Sequence, residues 1–258
     1  DSFDLGLSAD CGQAFRWKKD ENGMWDGIAY GKHLKAKQNE NELTFYTSAE
    51  DFDSLWKNYF DLETDYSAIC ERFSADENLS KAVNCCPGIH ILKQEPWEAL
   101  CSFIISQNNN IPRIKGIIER LCETFGNEID GGFTFPDAAT LAALEPEDLA
   151  PLRAGFRSKY IVDAVSKISS GEISLEEIET MPIEQARQTL MKIKGVGAKV
   201  AECTLLYGFG RKEAFPVDVW VKRIMQELYD GGMPECEKEH LGIAQQYLFH
   251  WRRNLKQL

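Results

Sequence analysis

The stretch Ile193-Lys194-Gly195-Val196-Gly197-Ala198-Lys199-Val200-Ala201 places two glycines one residue apart between apolar flanks. That spacing allows a tight turn between two helices and lets backbone N–H groups approach an anion closely. A helix-hairpin-helix of this kind grips DNA phosphates without reading sequence, although a plain connection between two helices needs no more than the same residues. Alone, Gly195 and Gly197 point to DNA binding and not to catalysis. The next motif changes that: Phe215-Pro216-Val217-Asp218-Val219 puts a carboxylate nineteen residues after Lys199, just ahead of the helical stripe Val221, Ile224, Met225 and Leu228.

Those residue types suit one chemistry. Cleaving an N-glycosidic bond builds positive charge on the sugar, which a carboxylate stabilises, while an amine can attack C1′ and form a Schiff base. A partly buried lysine at the start of a helix has its charged form disfavoured, the direction a nucleophile needs, and Lys199 is expected there. Asp218 has a second candidate role as N-cap of the helix it precedes. The two coexist if one oxygen accepts the backbone N–H and the other faces substrate. Hairpin and aspartate at this spacing resemble the helix-hairpin-helix glycosylase superfamily, and over nearly the whole chain the sequence is similar to the 8-oxoguanine DNA glycosylase family.

The resemblance implies a bifunctional DNA glycosylase/AP lyase with Lys199 as nucleophile and Asp218 as its aspartate, acting by base excision followed by β-elimination. Cys11-Gly12-Gln13-Ala14-Phe15-Arg16-Trp17 resembles the family segment whose glycine carbonyl accepts the N7–H that 8-oxoguanine has and guanine lacks, which points to Gly12. Read by itself, Gly12 is also an ordinary turn glycine. In Ala244-Gln245-Gln246-Tyr247-Leu248-Phe249 the family's glutamine, which reads the Watson–Crick edge, falls on Gln245, and its stacking phenylalanine on Phe249. Four residues apart, they share one helix face. Cys203 would cover the other face of the base; without the resemblance, Cys203 and Phe249 read as core. Asn108, Arg113 and Arg157 match residues that contact the estranged cytosine, and Phe156 stands where the family often has a wedging tyrosine. Read alone, the two arginines are solvated surface residues. One departure is Trp220, two after Asp218, where the family often has a histidine bonding a DNA phosphate. An indole donates one hydrogen bond without charge, so anchoring there is expected to be weaker or shifted.

Around these motifs the pattern predicts an α+β protein. Phe15-Arg16-Trp17 and Gly27-Ile28-Ala29-Tyr30 flank a turn at Glu21-Asn22-Gly23. His33–Lys37 and Leu43–Tyr46 alternate around a turn at Asn39-Glu40-Asn41. Helical spacing appears from Glu50 and dominates from Pro96, where Trp97, Leu100, Cys101, Ile104 and Ile105 follow at helical intervals. Ile114, Ile117, Ile118, Leu121, Cys122 and Phe125 repeat the pattern, with Gly126 as C-terminal cap. Between these helices, Ser106-Gln107-Asn108-Asn109-Asn110 reads as a cap and turn. The expected organisation is an N-terminal antiparallel β-sheet (TBP-like) domain with flanking helices over residues 1–90. A mainly α-helical helix-hairpin-helix domain follows over 91–258, its last helix, about 240–256, returning to the base pocket.

Composition pulls the other way. The 258 residues carry a net charge of −12, and a pI of about 4.9 is the wrong sign for a protein that approaches a polyanion. The charge is uneven: from Glu40 to Glu77 eleven acids face only Lys57 and Arg72, whereas the segments around Arg113, Arg157, Lys199 and Arg252 hold local groups of bases. One basic face therefore suffices for DNA. The eight cysteines are scattered apart from the vicinal Cys85 and Cys86, with no C-x-x-C pair, so core thiols and no structural metal are expected. Relatives with an iron–sulfur cluster hold it on four closely spaced cysteines after the hairpin; here only Cys236 follows Cys203. No run is long enough to span a bilayer and no signal-like segment opens the chain, so the expected compartment is the cytoplasm, or the nucleus in a eukaryote. No cofactor is required by the chemistry, although hairpin carbonyls could hold a cation. The expected partner is double-stranded DNA containing 8-oxoguanine, bound by a monomer. Three alternatives remain: a glycosylase of the same fold for another damaged base, a non-catalytic helix-hairpin-helix DNA-binding module, and an acidic metabolic enzyme.

Overall fold

Alternating apolar residues in the N-terminal segment form a four-stranded antiparallel meander in the order β1 (Trp17–Lys19), β2 (Trp25–Ala29), β3 (Lys32–Asn39) and β4 (Glu42–Tyr46). These elements come from a computed structural model that describes residues 3–40 and 42–254. The register sets Trp17 opposite Gly27, where any side chain would run into the Trp17 ring. Phe15 and Arg16 precede β1 and do not belong to it. Phe15 packs edge-on against Phe103 at 5.7 Å and Arg16 pairs with Glu98 at 3.5 Å, so tertiary contacts with the helical part replace the ladder there. Tyr30 leaves β2 for a turn at φ 52°. The second reversal is tighter than expected, because β3 continues through Asn39; Asn41 lies outside the described residues.

The Pro96–Ser106 helix begins on its proline, as predicted. Asn110 caps the Ile111–Phe125 helix by accepting the Arg113 N–H at 3.0 Å. Gly126 ends that helix with extended backbone, φ −81°. Glycine is needed there because a Cβ would collide with the carbonyls of Thr134 and Cys122. A short hairpin then pairs Glu128–Ile129 with Gly132–Phe133, which the apolar spacing did not predict. The last described helix is Leu241–Asn254, and the expected extension to residue 256 lies outside the described residues.

Two apolar clusters result. A smaller one behind the sheet gathers Trp17, Trp25, Leu34, Trp56, Phe60 and Leu92. The larger one joins Cys11 and Phe15 with Tyr66, Phe73 and Leu79 and with the helices from Pro96 onward. At its centre the Pro96–Ser106 helix lies along the Ala198–Phe209 helix, in contact at Gly208, where a Cβ would stand 3.0 Å from the Pro96 Cα. All eight cysteines are free thiols, and Cys101, Cys122 and Cys203 are buried.

His90 sits where the clusters meet, 3% exposed, stacked on Tyr66 at 3.8 Å, with Nδ1 3.1 Å from the Phe60 carbonyl. Burial lowers its pKa from 6.5 to about 4. The folded state therefore holds the neutral ring and the unfolded chain binds the proton more readily, so stability is full above pH 6.5 and falls as pH drops towards 4. We predict that denaturant melts at pH 7 and pH 4 show a larger acid loss for wild type than for His90→Gln, by about 3 kcal/mol. Equal losses would remove His90 as the cause.

Candidate active site

Between Leu190 and Ala198 the chain turns once, the Val196 N–H donating to the Ile193 carbonyl at 3.0 Å. Gly195 takes φ +80°, and a Cβ there would run into the Tyr160 ring. The Lys194 N–H donates to Asp163 Oδ2 at 2.7 Å, pinning the turn from behind. Gly197 is the N-cap of the Ala198–Phe209 helix and faces open space. Among the described residues, the N–H groups of Gly195 and Gly197 have no acceptor. The hairpin thus presents free donors at a helix start, as an anion site requires.

Lys199 is the second residue of that helix and half-buried. Its Nζ lies 3.4 Å from Ser106 Oγ and 4.9 Å above the Phe103 ring. Asp218 does cap the Val219–Tyr229 helix: Oδ1 accepts the Val221 N–H at 2.8 Å, while Oδ2 has no partner among the described residues. Lys199 and Asp218 open onto one cavity, shared with Gly12, Cys203, Gln245 and Phe249. Chain segments separated by more than two hundred residues therefore converge on one spot.

Gly12 adopts φ +93°, and a Cβ there would lie 3.9 Å from Phe249, so its role as a turn glycine and its place in the pocket wall are compatible. Burial pushes the Cys203 thiol up to about 11 against the lowering effect of Lys199, leaving a neutral, polarisable surface at pH 7. Gln245 is 5% exposed, and its Oε1 has no hydrogen-bond donor. The neighbouring Gln246 is bonded at both ends, its Oε1 accepting from Tyr207 at 2.5 Å and its Nε2 donating to the Cys11 carbonyl at 3.4 Å. The cavity is small, about 50 Å³, room for one or two waters. A larger cavity of about 190 Å³ lies between the sheet and the Ile111–Phe125 helix. It contains none of the predicted residues, and Lys18 and Glu119 on its wall already pair with each other.

Sequence reasoning missed Phe103, Ser106 and Pro216. The first two sit a helical turn apart on the Pro96–Ser106 helix, and the only sequence hint of their approach to Lys199 is Gly208, which lets the two helices touch.

The residues expected to contact the estranged base, Asn108, Arg113, Phe156 and Arg157, do not line this cavity. Asn108 is left-handed, φ 48°, and Arg113 is exposed on the first turn of its helix. Arg157 is not a solvated surface residue: it is 3% exposed. It donates to Gln107 O through Nε and Nη2, to Asn108 O at 3.0 Å and to Ala154 O at 3.1 Å, which leaves one of its five N–H groups free. Phe156 is 48% exposed, lies under the Arg157 guanidinium at 4.4 Å, and meets Tyr160 edge-on at 5.7 Å. Wedge position and hairpin are linked through Tyr160. Trp220 is 36% exposed, and the Arg223 guanidinium lies 5.7 Å from its ring. Among the described residues no three His, Cys, Asp or Glu side chains group as a metal site, and no helix is long and apolar enough to cross a membrane.

Residues 1–100 match the family model for the N-terminal domain of 8-oxoguanine DNA glycosylase, and residues 101–239 that for the HhH-GPD superfamily base excision DNA repair protein. The N-glycosylase/DNA lyase of Saccharomyces cerevisiae is 34% identical over 89% of this chain and 68% of its own length. A probable N-glycosylase/DNA lyase of Methanothermobacter thermautotrophicus is 32% identical over 81% and 76%. The solved structure of a Clostridium acetobutylicum 8-oxoguanine glycosylase/lyase in complex with double-stranded DNA containing cytosine opposite 8-oxoguanine superposes with a TM-score of 0.91 and 38% identity, over 98% of this chain and 93% of that one.

The hairpin glycines predict opposite outcomes. Gly195→Ala forces a side chain into a left-handed position against Tyr160 and lowers stability by roughly 1–3 kcal/mol. Gly197→Ala stays within about 1 kcal/mol of wild type but sets a methyl over the free N–H groups and weakens duplex binding. Thermal melts and binding isotherms on both variants test this; unchanged affinity in Gly197→Ala would show that phosphate is gripped elsewhere.

Proposed function

Because this chain belongs to the HhH-GPD superfamily of base excision DNA repair proteins, and within it to the N-glycosylase/DNA lyases, we propose that it excises 8-oxoguanine from duplex DNA and then cuts the strand at the abasic site. The observation that carries the substrate is the buried Gln245 Oε1 without a donor. A buried acceptor left unpaired costs about 1–3 kcal/mol, and Gln245 is a lining residue of the cavity that holds Lys199 and Asp218. The Watson–Crick edge of a guanine-type base offers two adjacent N–H donors, at N1 and N2, to such an oxygen, whereas an adenine-type edge sets its one donor, at N6, beside an acceptor at N1. The unpaired oxygen therefore favours a guanine lesion over an adenine lesion. The Gly12 carbonyl supplies the contact to N7–H that separates 8-oxoguanine from guanine, with Phe249 and Cys203 enclosing the ring.

In the reaction the Lys199 amine attacks C1′ through its nitrogen lone pair as the bond from C1′ to the base breaks, and the departing base takes the electron pair and then a proton. The outer oxygen of Asp218 stabilises the positive charge that develops on the sugar. Loss of the second amine proton and ring opening give the imine, and removal of a C2′ proton expels the 3′-phosphate. No chemical cofactor enters, and a cation on the hairpin carbonyls would serve phosphate binding alone. Opposite the lesion, Asn108 and Arg113 meet cytosine while Arg157 frames the loop they stand on, and Phe156 fills the gap in the stack. The free space of about 50 Å³ means that Phe249 moves when the base enters.

Borohydride trapping on duplexes with 8-oxoguanine opposite each of the four bases tests the reading. Wild type forms a covalent adduct fastest opposite cytosine, Lys199→Gln forms none, and Asp218→Asn slows excision roughly 10²-fold or more. Absence of a wild-type adduct would overturn the lysine mechanism, and equal rates opposite all four bases would overturn the roles of Asn108, Arg113 and Arg157. Duplex binding with no base release under any condition would favour the non-catalytic module.

A further inference from the structure

Three residues after Lys199 on the same helix stands a carboxylate that the mechanism does not use. Glu202 is 6% exposed. Its Oε2 accepts the Phe215 N–H at 2.6 Å, and its Oε1 accepts from Nε of Arg187, which also pairs with Glu184. Removing a carboxylate from water is costly unless its oxygens are filled, and an apolar residue of similar size in place of a buried ion pair is often neutral or stabilising. Its presence therefore calls for a geometric reason. Phe215 begins the run Phe215-Pro216-Val217-Asp218. Proline has no N–H to offer and a fixed φ, so among the described residues the run is held at its start by Glu202 and at its end by the bond from the Val221 N–H to Asp218 Oδ1. Cutting the first tie leaves the start of the run held by the packing of Ala214 and Phe215 in the core and by the bond from the Ala214 N–H to the Arg211 carbonyl, with no hydrogen bond, among the described residues, to the helix that carries Lys199.

We infer that Glu202 is a positioning residue that sets Asp218 against Lys199, by tying the loop that carries the aspartate to the helix that carries the lysine. The inference rests on the assignment of those two residues made above. The carboxylate bridges two donors at once, the Phe215 N–H and the Arg187 guanidinium. A glutamine offers one oxygen and turns an N–H towards the other donor. An aspartate is one methylene too short to reach both. Arg187 is secondary: it neutralises and orients Glu202, and the Phe215 tie survives without it.

The experiment is a double-mutant cycle in single-turnover excision and borohydride trapping on 8-oxoguanine:cytosine duplexes, using Glu202→Gln and Glu202→Asp, each alone and combined with Asp218→Asn. Expected is a 10- to 100-fold slower excision for either variant, the scale of a misplacement of about 1 Å. Affinity for a duplex with a non-cleavable abasic analogue stays within roughly twofold. On the Asp218→Asn background the same changes cost less than roughly threefold, because the group they misplace is already gone. A structural role alone would give the same factor on both backgrounds, and that result overturns the inference. So does a wild-type rate in a folded Glu202→Gln. Arg187→Gln, which leaves the Phe215 tie intact, should excise within roughly threefold of wild type; a loss equal to that of Glu202→Gln would assign the effect to the ion pair and overturn the tether. If neither Glu202 variant folds, Arg187→Gln still decides: a rate within roughly threefold of wild type is the expected result, and a loss of roughly tenfold or more, on either background, assigns the effect to the ion pair and overturns the inference. Absence of a wild-type adduct is a separate failure, of Lys199 itself.

Discussion

The base pocket depends on a length of backbone that belongs to no strand. Cys11–Phe15 runs from the Leu5–Asp10 helix towards β1 and brings Gly12 to the wall of the cavity, and buried main-chain groups there must find partners outside a sheet ladder. Gln13, with no exposed surface, ties this segment to its neighbours. Its Nε2 donates to the carbonyls of Ser8 and His90, its Oε1 accepts the Leu92 N–H, and its own carbonyl accepts from Gln94. Gln94 in turn takes the Tyr207 carbonyl through its main-chain N–H, and Gln246 joins Tyr207 to the Cys11 carbonyl. Three amides thus tie the N-terminal segment, the lysine helix and the last helix to one another. Because an amide has both donor and acceptor ends, each fixes a spacing and not merely a contact. Gly12 sits inside that frame, its position set by its neighbours on either side.

The acid balance of the chain is reconciled with DNA by pairing. Away from the site several exposed bases are matched: Lys18 with Glu119, Lys32 with Asp51, Lys57 with Glu63, Lys81 with Glu77. Around the site, Arg113, Lys192, Lys194, Lys222 and Arg223 are exposed, and no described acid forms an ion pair with any of them. They stand on the first turn of the Ile111–Phe125 helix, on the hairpin and near the start of the helix that Asp218 caps. Field from a few unmatched cations close to a phosphate outweighs net charge spread over a distant face, because screening at physiological salt limits reach to about 8 Å. Arg223 beside the Trp220 ring returns a positive charge to the neighbourhood of the position where the family often has histidine.

Much of this was legible in the sequence. Periodicity gave the meander and the helix from Pro96, and the hairpin–aspartate spacing gave the lysine and the aspartate that share the cavity, because local geometry alone determines a turn and a cap. Arg157 was misread as a solvated alternative because burial is a tertiary property: its guanidinium closes over carbonyls of residues about fifty positions earlier. Phe15 and Arg16 carried strand propensity, yet Phe103 and Glu98 capture their side chains. Gln245 and Gln246 are indistinguishable as letters. Only the packing shows that one amide is saturated by Tyr207 and Cys11 while the other keeps an oxygen unpaired.

That unpaired oxygen marks where structure was traded for function. Every other amide in the wall is satisfied, so the region is well able to place donors, and a serine or tyrosine near Gln245 would have closed the gap. Leaving Oε1 empty costs about 1–3 kcal/mol in the free protein and makes the same amount available to a ligand that brings an N–H to it. A ligand that brings an acceptor to that spot pays twice, once for its own lone pair and once for the oxygen it faces. Selectivity by an unmet hydrogen bond exceeds what shape can achieve between bases of nearly equal size.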